Sequence, residues 1–201
     1  MTTSSASTST QSSALEDEIR RHAEAERWAD AATVAILGYG SELLGFVRAT
    51  TSTPHDADDL FSELCERLWQ RLPQFAWRSS FRTWAYAVAR NLARDRMAQR
   101  AVRRRHQVPL SDAPHAALVA AVRSTIERTP ASADPRLELL RTILDEDERA
   151  ILVLRVELAM PWTEIATVLG AEGDAATTRA AARLRKQFER IKERARRGLA
   201  R

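Results

Sequence analysis

Four groups of side chains in this sequence have the types and spacing to bind a partner. Asp58, Asp59, Glu63 and Glu66 recur at helical spacing and set carboxylates along one face, suited to a basic protein surface. Phe75 and Trp77 fall in a short loop, a setting in which flat rings stack on unpaired bases at about 1–3 kcal/mol per base. Arg78, Arg82, Arg90 and Arg94, with Asn91 among them, follow in a basic segment suited to phosphate. Far down the chain Thr178, Arg179, Arg183 and Lys186 share one side of a helical pattern, where arginine pairs with guanine edges at about 1–3 kcal/mol of discrimination per good pair. The chemistry on offer is binding, to an electropositive protein on one side and to nucleic acid on the other. Each group also has a plainer account. Acids early in a helix are ordinary helix-start chemistry, and periodicity alone favours that reading. Loop aromatics serve equally well as a lid on the core.

Catalysis is not predicted. The sequence has no Gly-rich phosphate loop, no acids at metal-binding spacing and no nucleophile motif, so the protein is expected not to be an enzyme. His22, His55, His106 and His115 are scattered without ligand spacing, and no metal or cofactor is predicted. Cys65 stands alone inside an apolar-periodic stretch and reads as a structural thiol. No apolar run approaches the roughly 20 residues of a membrane span. The Ser/Thr-rich start lacks the basic and apolar regions of a signal peptide, so a cytoplasmic protein is expected.

The positioning elements follow from charge and periodicity. The net charge of +4 hides segregation: residues 14–72 hold twelve acids against six arginines, while 78–106 hold nine arginines against Asp95. Residues 175–201 hold ten basic residues against Glu189 and Glu193, and two basic segments suit two contacts on one polyanion. Apolar residues recur at spacings of three, four and seven through Leu15–Arg48, predicting two helices or one kinked at its glycines. Asp56 is predicted to cap the next helix, with Leu60, Phe61, Leu64 and Leu68 inward and Ser62 outward. Pro73 ends it, and Ser79 or Ser80 caps a helix that buries Phe81, Trp84, Ala85, Val88 and Leu92. The prediction is an all-α chain of two small helical domains joined by a flexible linker. Residues 1–13 form a disordered, solubilising tail, 14–106 the first domain and 107–134 the linker, with a short helix at Ala116–Ile126. Residues 135–201 form the second domain, in which Thr163 caps a short helix, Gly170 closes it, and a long basic helix completes a helix-turn-helix.

The run DADDLFSELCERLW followed by FRTWAYAVARNLARDRMAQR resembles the second conserved region of bacterial RNA polymerase sigma factors of the extracytoplasmic-function group, in the sigma-70 family. That region typically reads D-A-x-D-L-x-Q-E-x-F-x-x-L-W and then F-x-x-W-L-x-x-I-A-x-N-x-x-x-D. Asp56, Ala57, Asp59, Leu60, Glu63, Leu68, Trp69, Phe81, Trp84, Ala89, Asn91 and Asp95 fall in place, while Ser62 and Cys65 depart from the pattern. LDEDERAILVLRVELAMPWTEIATVLG resembles the fourth region of that family, although Ala175–Arg185 lacks the usual T-V-x-x-R-L-x-R-A run.

The resemblance implies a transcription initiation factor that binds core RNA polymerase and promoter DNA. It implies core contact through Asp58, Asp59, Glu63 and Glu66, and minus-ten recognition and melting through Phe75, Trp77, Arg78, Arg82, Arg90, Asn91 and Arg94. It implies minus-thirty-five contact through Thr178, Arg179, Arg183 and Lys186. Members are often held by an anti-sigma factor, which leaves one open as a further partner. The alternative is an autonomous helix-turn-helix regulator, which would account for the second domain but not for the acidic helix and aromatic loop.

Overall fold

The apolar stripe that begins at Leu15 becomes two helices, and the break between them has a local cause. The computed structural model describes residues 4–51, 53–102, 116–127 and 142–199, with eight α-helices and no strand among the described residues. Helix α1 is Ser4–Glu24 and α2 is Trp28–Thr50. Between them Arg27 N–H donates to His22 O and Glu26 N–H to Ala23 O, both at 3.0 Å, with Glu26 at φ 55°. This is a Schellman closure with Glu where Gly is usual. The glycines do not kink the chain, and α2 runs unbroken through Gly38, Gly40 and Gly45. Two of them are contact points: a Cβ on Gly38 would run into the Leu15 side chain, and one on Gly40 into Val122.

The disordered tail expected over residues 1–13 is corrected from Ser4 onward, where the chain is already in α1. Ile19 and Ala23 are buried with Leu15 packed beside them, and a helix nucleated there extends toward the N-terminus at little cost per residue.

Helix α3, Pro54–Arg71, starts earlier than Asp56. Thr53 is the cap: its Oγ1 accepts from Asp56 N–H at 3.2 Å and donates to the Asp56 carboxylate at 2.6 Å. Proline fits the first helical position because the N–H it lacks has no partner there. Ser62, expected outward, is buried and donates to Asp58 O at 3.0 Å, and Cys65 is buried beside the Leu64 and Leu68 stripe. A 3-10 turn, Leu72–Gln74, takes up Pro73 before helix α4, Phe81–Val102. Ser80 is the residue that caps α4, its Oγ accepting from Thr83 N–H at 3.1 Å.

The expected linker also differs. Helix α5, Ala116–Glu127, lies on α2 and α3 and buries Val119 and Val122, so this part is packed rather than flexible. The rest of the linker, and residues 135–141 at the start of the expected second domain, lie outside the described residues.

In the second domain Asp145 opens α6, Glu146–Leu152, with a capping box: Glu148 N–H donates to Asp145 Oδ1 at 2.8 Å, and Asp145 N–H to Glu148 Oε2 at 3.1 Å. A π turn, Val153–Glu157, leads to α7, Trp162–Val168, and then to α8, Asp174–Leu199. Helix α7 begins one residue before Thr163, with Pro161 at the cap and no side-chain acceptor, so Thr163 does not cap it.

The two domains are not held apart. Helix α6 packs on α2 and α7 on α4, and the apolar core is one continuous cluster. Each large side chain fully buried in it contributes about 1.5–3 kcal/mol. Phe61 is completely buried, so Phe61→Ala is expected to cost about 3–5 kcal/mol, a lost transfer term plus a cavity. Thr53→Ala removes only a cap, at about 1 kcal/mol. Urea denaturation of both variants checks the ranking.

Candidate functional site

The acids of α3 are half-buried and carry an ion-pair ladder. Arg67 reaches Glu63 at 2.9 Å along the helix, while Arg96 crosses from α4 to Glu63 at 3.1 Å and Asp59 at 4.0 Å. Arg48 lies 3.5 Å from Asp58, and Gln70 donates to Glu66 at 3.1 Å. Helical spacing brings the four carboxylates onto one face, as predicted. The basic neighbours from α2 and α4 were not visible in that spacing, because they arrive only through tertiary packing.

The aromatic loop is built into α4. The Phe75 ring stacks on Trp84, with centroids 4.7 Å apart, and meets Trp77 at 4.8 Å, while Phe81 sits edge-on to Trp84 at 5.4 Å. Trp77 holds a left-handed backbone, φ 54°, which side chains rarely adopt. Both predicted loop rings are therefore half-buried and packed against the core rather than projecting from it. Trp84 and Phe81, read from the sequence as core, belong to the same cluster; their spacing of three on α4 puts them on the face the loop folds over.

The polar residues of α4 and of the loop before it divide in two. Arg78, Asn91 and Arg94 are exposed. Arg82 instead grips Glu42 of α2 with two hydrogen bonds, Nε to Oε1 at 3.2 Å and Nη2 to Oε2 at 2.7 Å. Burial works against the Arg82 charge, but the Glu42 bonds and attraction outweigh it and raise the guanidinium pKa further. Arg90, expected on an outer face, is buried and paired with Asp147 of α6 at 2.8 Å. Thr83 donates to Glu164 of α7 at 3.3 Å beside it. The arginine cluster at 100–105 lies outside the described side chains.

On α8, Ala181, Leu184, Phe188 and Ile191 face inward. Thr178, Arg179, Arg183 and Lys186 are all exposed on the other side. Among the described residues no group of three His, Cys, Asp or Glu is placed to hold a metal ion, and no helix is long and apolar enough to cross a membrane.

A family model, Sigma-70 region 2, matches residues 36–103, from the middle of α2 to the end of α4. That segment, about a third of the chain, is similar to the second region of sigma-70 factors. The "ECF RNA polymerase sigma factor SigG" of two Mycobacterium tuberculosis strains, CDC 1551 / Oshkosh and ATCC 25618 / H37Rv, is 42% identical over 53 residues. That segment is 26% of this chain and only 14% of the length of those relatives. The sigma factor RpoE of Bartonella quintana, solved in complex with the anti-sigma factor NepR, superposes at a TM-score of 0.59 with 16% identity, over 83% of this chain and 94% of that one. At that identity the likeness is one of fold.

Within the sigma-70 region 2 segment, the Arg82–Glu42 grip ties α4 to α2. A double-mutant cycle of Arg82→Ala and Glu42→Ala is expected to give a coupling of about 1–2 kcal/mol, above the range of exposed pairs because both groups are partly buried. Thermal denaturation of the four proteins reads it. A coupling near zero would mean that the grip does not hold α4 to α2.

Proposed function

We propose that this protein is a transcription initiation factor that binds core RNA polymerase and directs it to promoters. It recognises and melts a minus-ten element with its first domain and contacts a minus-thirty-five element with its second. The observation that carries this reading is the Sigma-70 region 2 match over 36–103, because the same residues form the acidic face, the aromatic loop and the basic helix. Asp58, Asp59, Glu63 and Glu66 are the proposed core contacts. Phe75, Trp77, Arg78, Asn91 and Arg94 serve the minus-ten element, with Arg82 and Arg90 joining only if their acid partners let go. The α7–turn–α8 unit is the proposed helix-turn-helix, presenting Thr178, Arg179, Arg183 and Lys186 to a major groove. Its partners are core polymerase, promoter DNA and an anti-sigma factor; the last is supported by the inhibitor bound to the Bartonella quintana protein. The protein binds and positions rather than catalyses.

Reconstitution with core polymerase tests the reading. The mixture should start transcription at specific sites; tight, sequence-specific DNA binding without any affinity for core would favour an autonomous regulator instead. Asp59→Lys together with Glu63→Lys is expected to weaken core binding by about tenfold or more in a pull-down. Arg96→Ala, which only strips a cation from those acids, should not weaken it.

Asp147→Ala addresses the closed packing. It removes the carboxylate that Arg90 hydrogen-bonds and leaves only the attraction of Glu146, a weaker hold that favours moving Arg90 into solvent and α6 off the first domain. Promoter fragments should then bind the variant about fivefold more tightly in gel shifts. Unchanged affinity would remove Arg90 from the DNA contacts.

A further inference from the structure

The start of α4 is held by a residue that no motif contains. Backbone N–H groups in the first turn of a helix have no partner within it. Ser80 satisfies the one on Thr83. Those on Phe81 and Arg82 both donate to Glu16 of α1, to Oε2 at 2.8 Å and Oε1 at 2.9 Å. The Tyr39 hydroxyl of α2 donates to Oε1 as well, at 2.9 Å, a third hydrogen bond that holds the carboxylate. Burial pushes the Tyr39 hydroxyl well above its usual pKa, so it stays a neutral donor.

One helical turn further along α1, the Arg20 guanidinium lies over the Trp77 ring, 4.8 Å from its centroid. Residues i and i+4 of a helix share a face, so one side of α1 touches the loop at Trp77 and α4 at Phe81. Ile19, buried between the two, anchors that side to the core. The loop thus has three fixed points: Phe75 against Trp84, Trp77 beneath Arg20, and the Phe81 amide on Glu16. Its middle point is the residue whose left-handed backbone needs outside support.

We propose that Glu16 and Arg20 are positioning residues for the promoter-melting loop, with α1 setting the pose from which its rings engage the minus-ten element. The proposal deepens the sigma reading and rests on it. Neither residue touches DNA; each acts through the backbone or ring it holds. A carboxylate suits the first role because it accepts two N–H bonds at the positive end of the α4 dipole. A cation suits the second because it is drawn to the ring face.

The test uses the full chain with Glu16→Gln, Glu16→Ala, Arg20→Lys and Arg20→Met. In amide proton–nitrogen spectra the Phe81 and Arg82 signals should move upfield in Glu16→Ala and by less in Glu16→Gln. With core polymerase, Glu16→Ala and Arg20→Met should slow open-complex formation on duplex promoters by roughly tenfold, the usual order for a displaced positioning group. Core affinity should stay at the parent level, a pre-melted promoter should restore most of the loss, and Arg20→Lys should behave like the parent. Core binding and promoter opening that fall together with melting temperature would overturn the proposal, since a purely structural role predicts that pattern. Unmoved amide signals, or variants as fast as the parent, would also overturn it. A parent that opens no promoter would overturn the sigma reading, and this inference with it; an active parent with unaffected variants would overturn this inference alone.

Discussion

Helix α2 has to be covered on nearly every side, and much of the structure follows from that constraint. Helices α1, α3, α4, α5 and α6 all pack on it. So many neighbours fit around one helix only where side chains are small: Ala31, Ala32 and Ala35 are buried, and Gly38 and Gly40 admit Leu15 and Val122 where a Cβ would collide. Close packing makes such sites intolerant of added volume. The glycines, which weaken a helix in isolation, are compensated by the neighbours they admit. The same arrangement brings the second domain into contact, because α6 uses a side of α2 that the first domain leaves open.

Charge follows a related rule. Arginines of α4 that point toward another helix meet an acid: Arg82 meets Glu42, Arg90 meets Asp147, and Arg96 meets Glu63. Arg94 of α4, Arg78 in the loop before it, and Arg179 and Arg183 of α8 are exposed instead. A basic segment is therefore two populations, one that fastens helices and one that is presented outward. Desolvation separates them, since a buried guanidinium without a carboxylate is costly while an exposed one is not. The acidic face of α3 obeys the same logic from the other side, its carboxylates serving both as internal partners and as surface.

This explains which features were readable in the sequence. The helices were legible because the i, i+3, i+4 stripe of residues such as Leu60, Phe61, Leu64 and Leu68 is a local signal, and so was the outward set of α8. The break at Glu26 was not, because a left-handed Glu carries no compositional mark. The cap at Thr53 was missed because Asp56, an equally good cap by type, stands three residues on, and only the geometry of Pro54 decides between them. Glu16, Glu42 and Asp147 were invisible as partners: each meets its arginine or amide across the fold, at a separation that no spacing rule covers. The aromatic loop was half legible, its rings obvious and their packing on Trp84 not.

The closed packing also sets an energetic relation between the domains. Arg90 cannot hold Asp147 and a phosphate at once, so whatever the pair contributes to closure is subtracted from any DNA affinity that Arg90 supplies. A ligand that binds only the open form loses apparent affinity in proportion to the fraction closed. The closed form is itself imperfect, because the Arg90 Nε is buried without a hydrogen-bond partner, which lowers the net stability of the contact. The pair is one of several ties between these helices, beside the Thr83–Glu164 bond, the Arg149 bond to Thr50 O and the apolar packing of α6 on α2 and α7 on α4, so the unmet donor weakens one contact and not the closure as a whole.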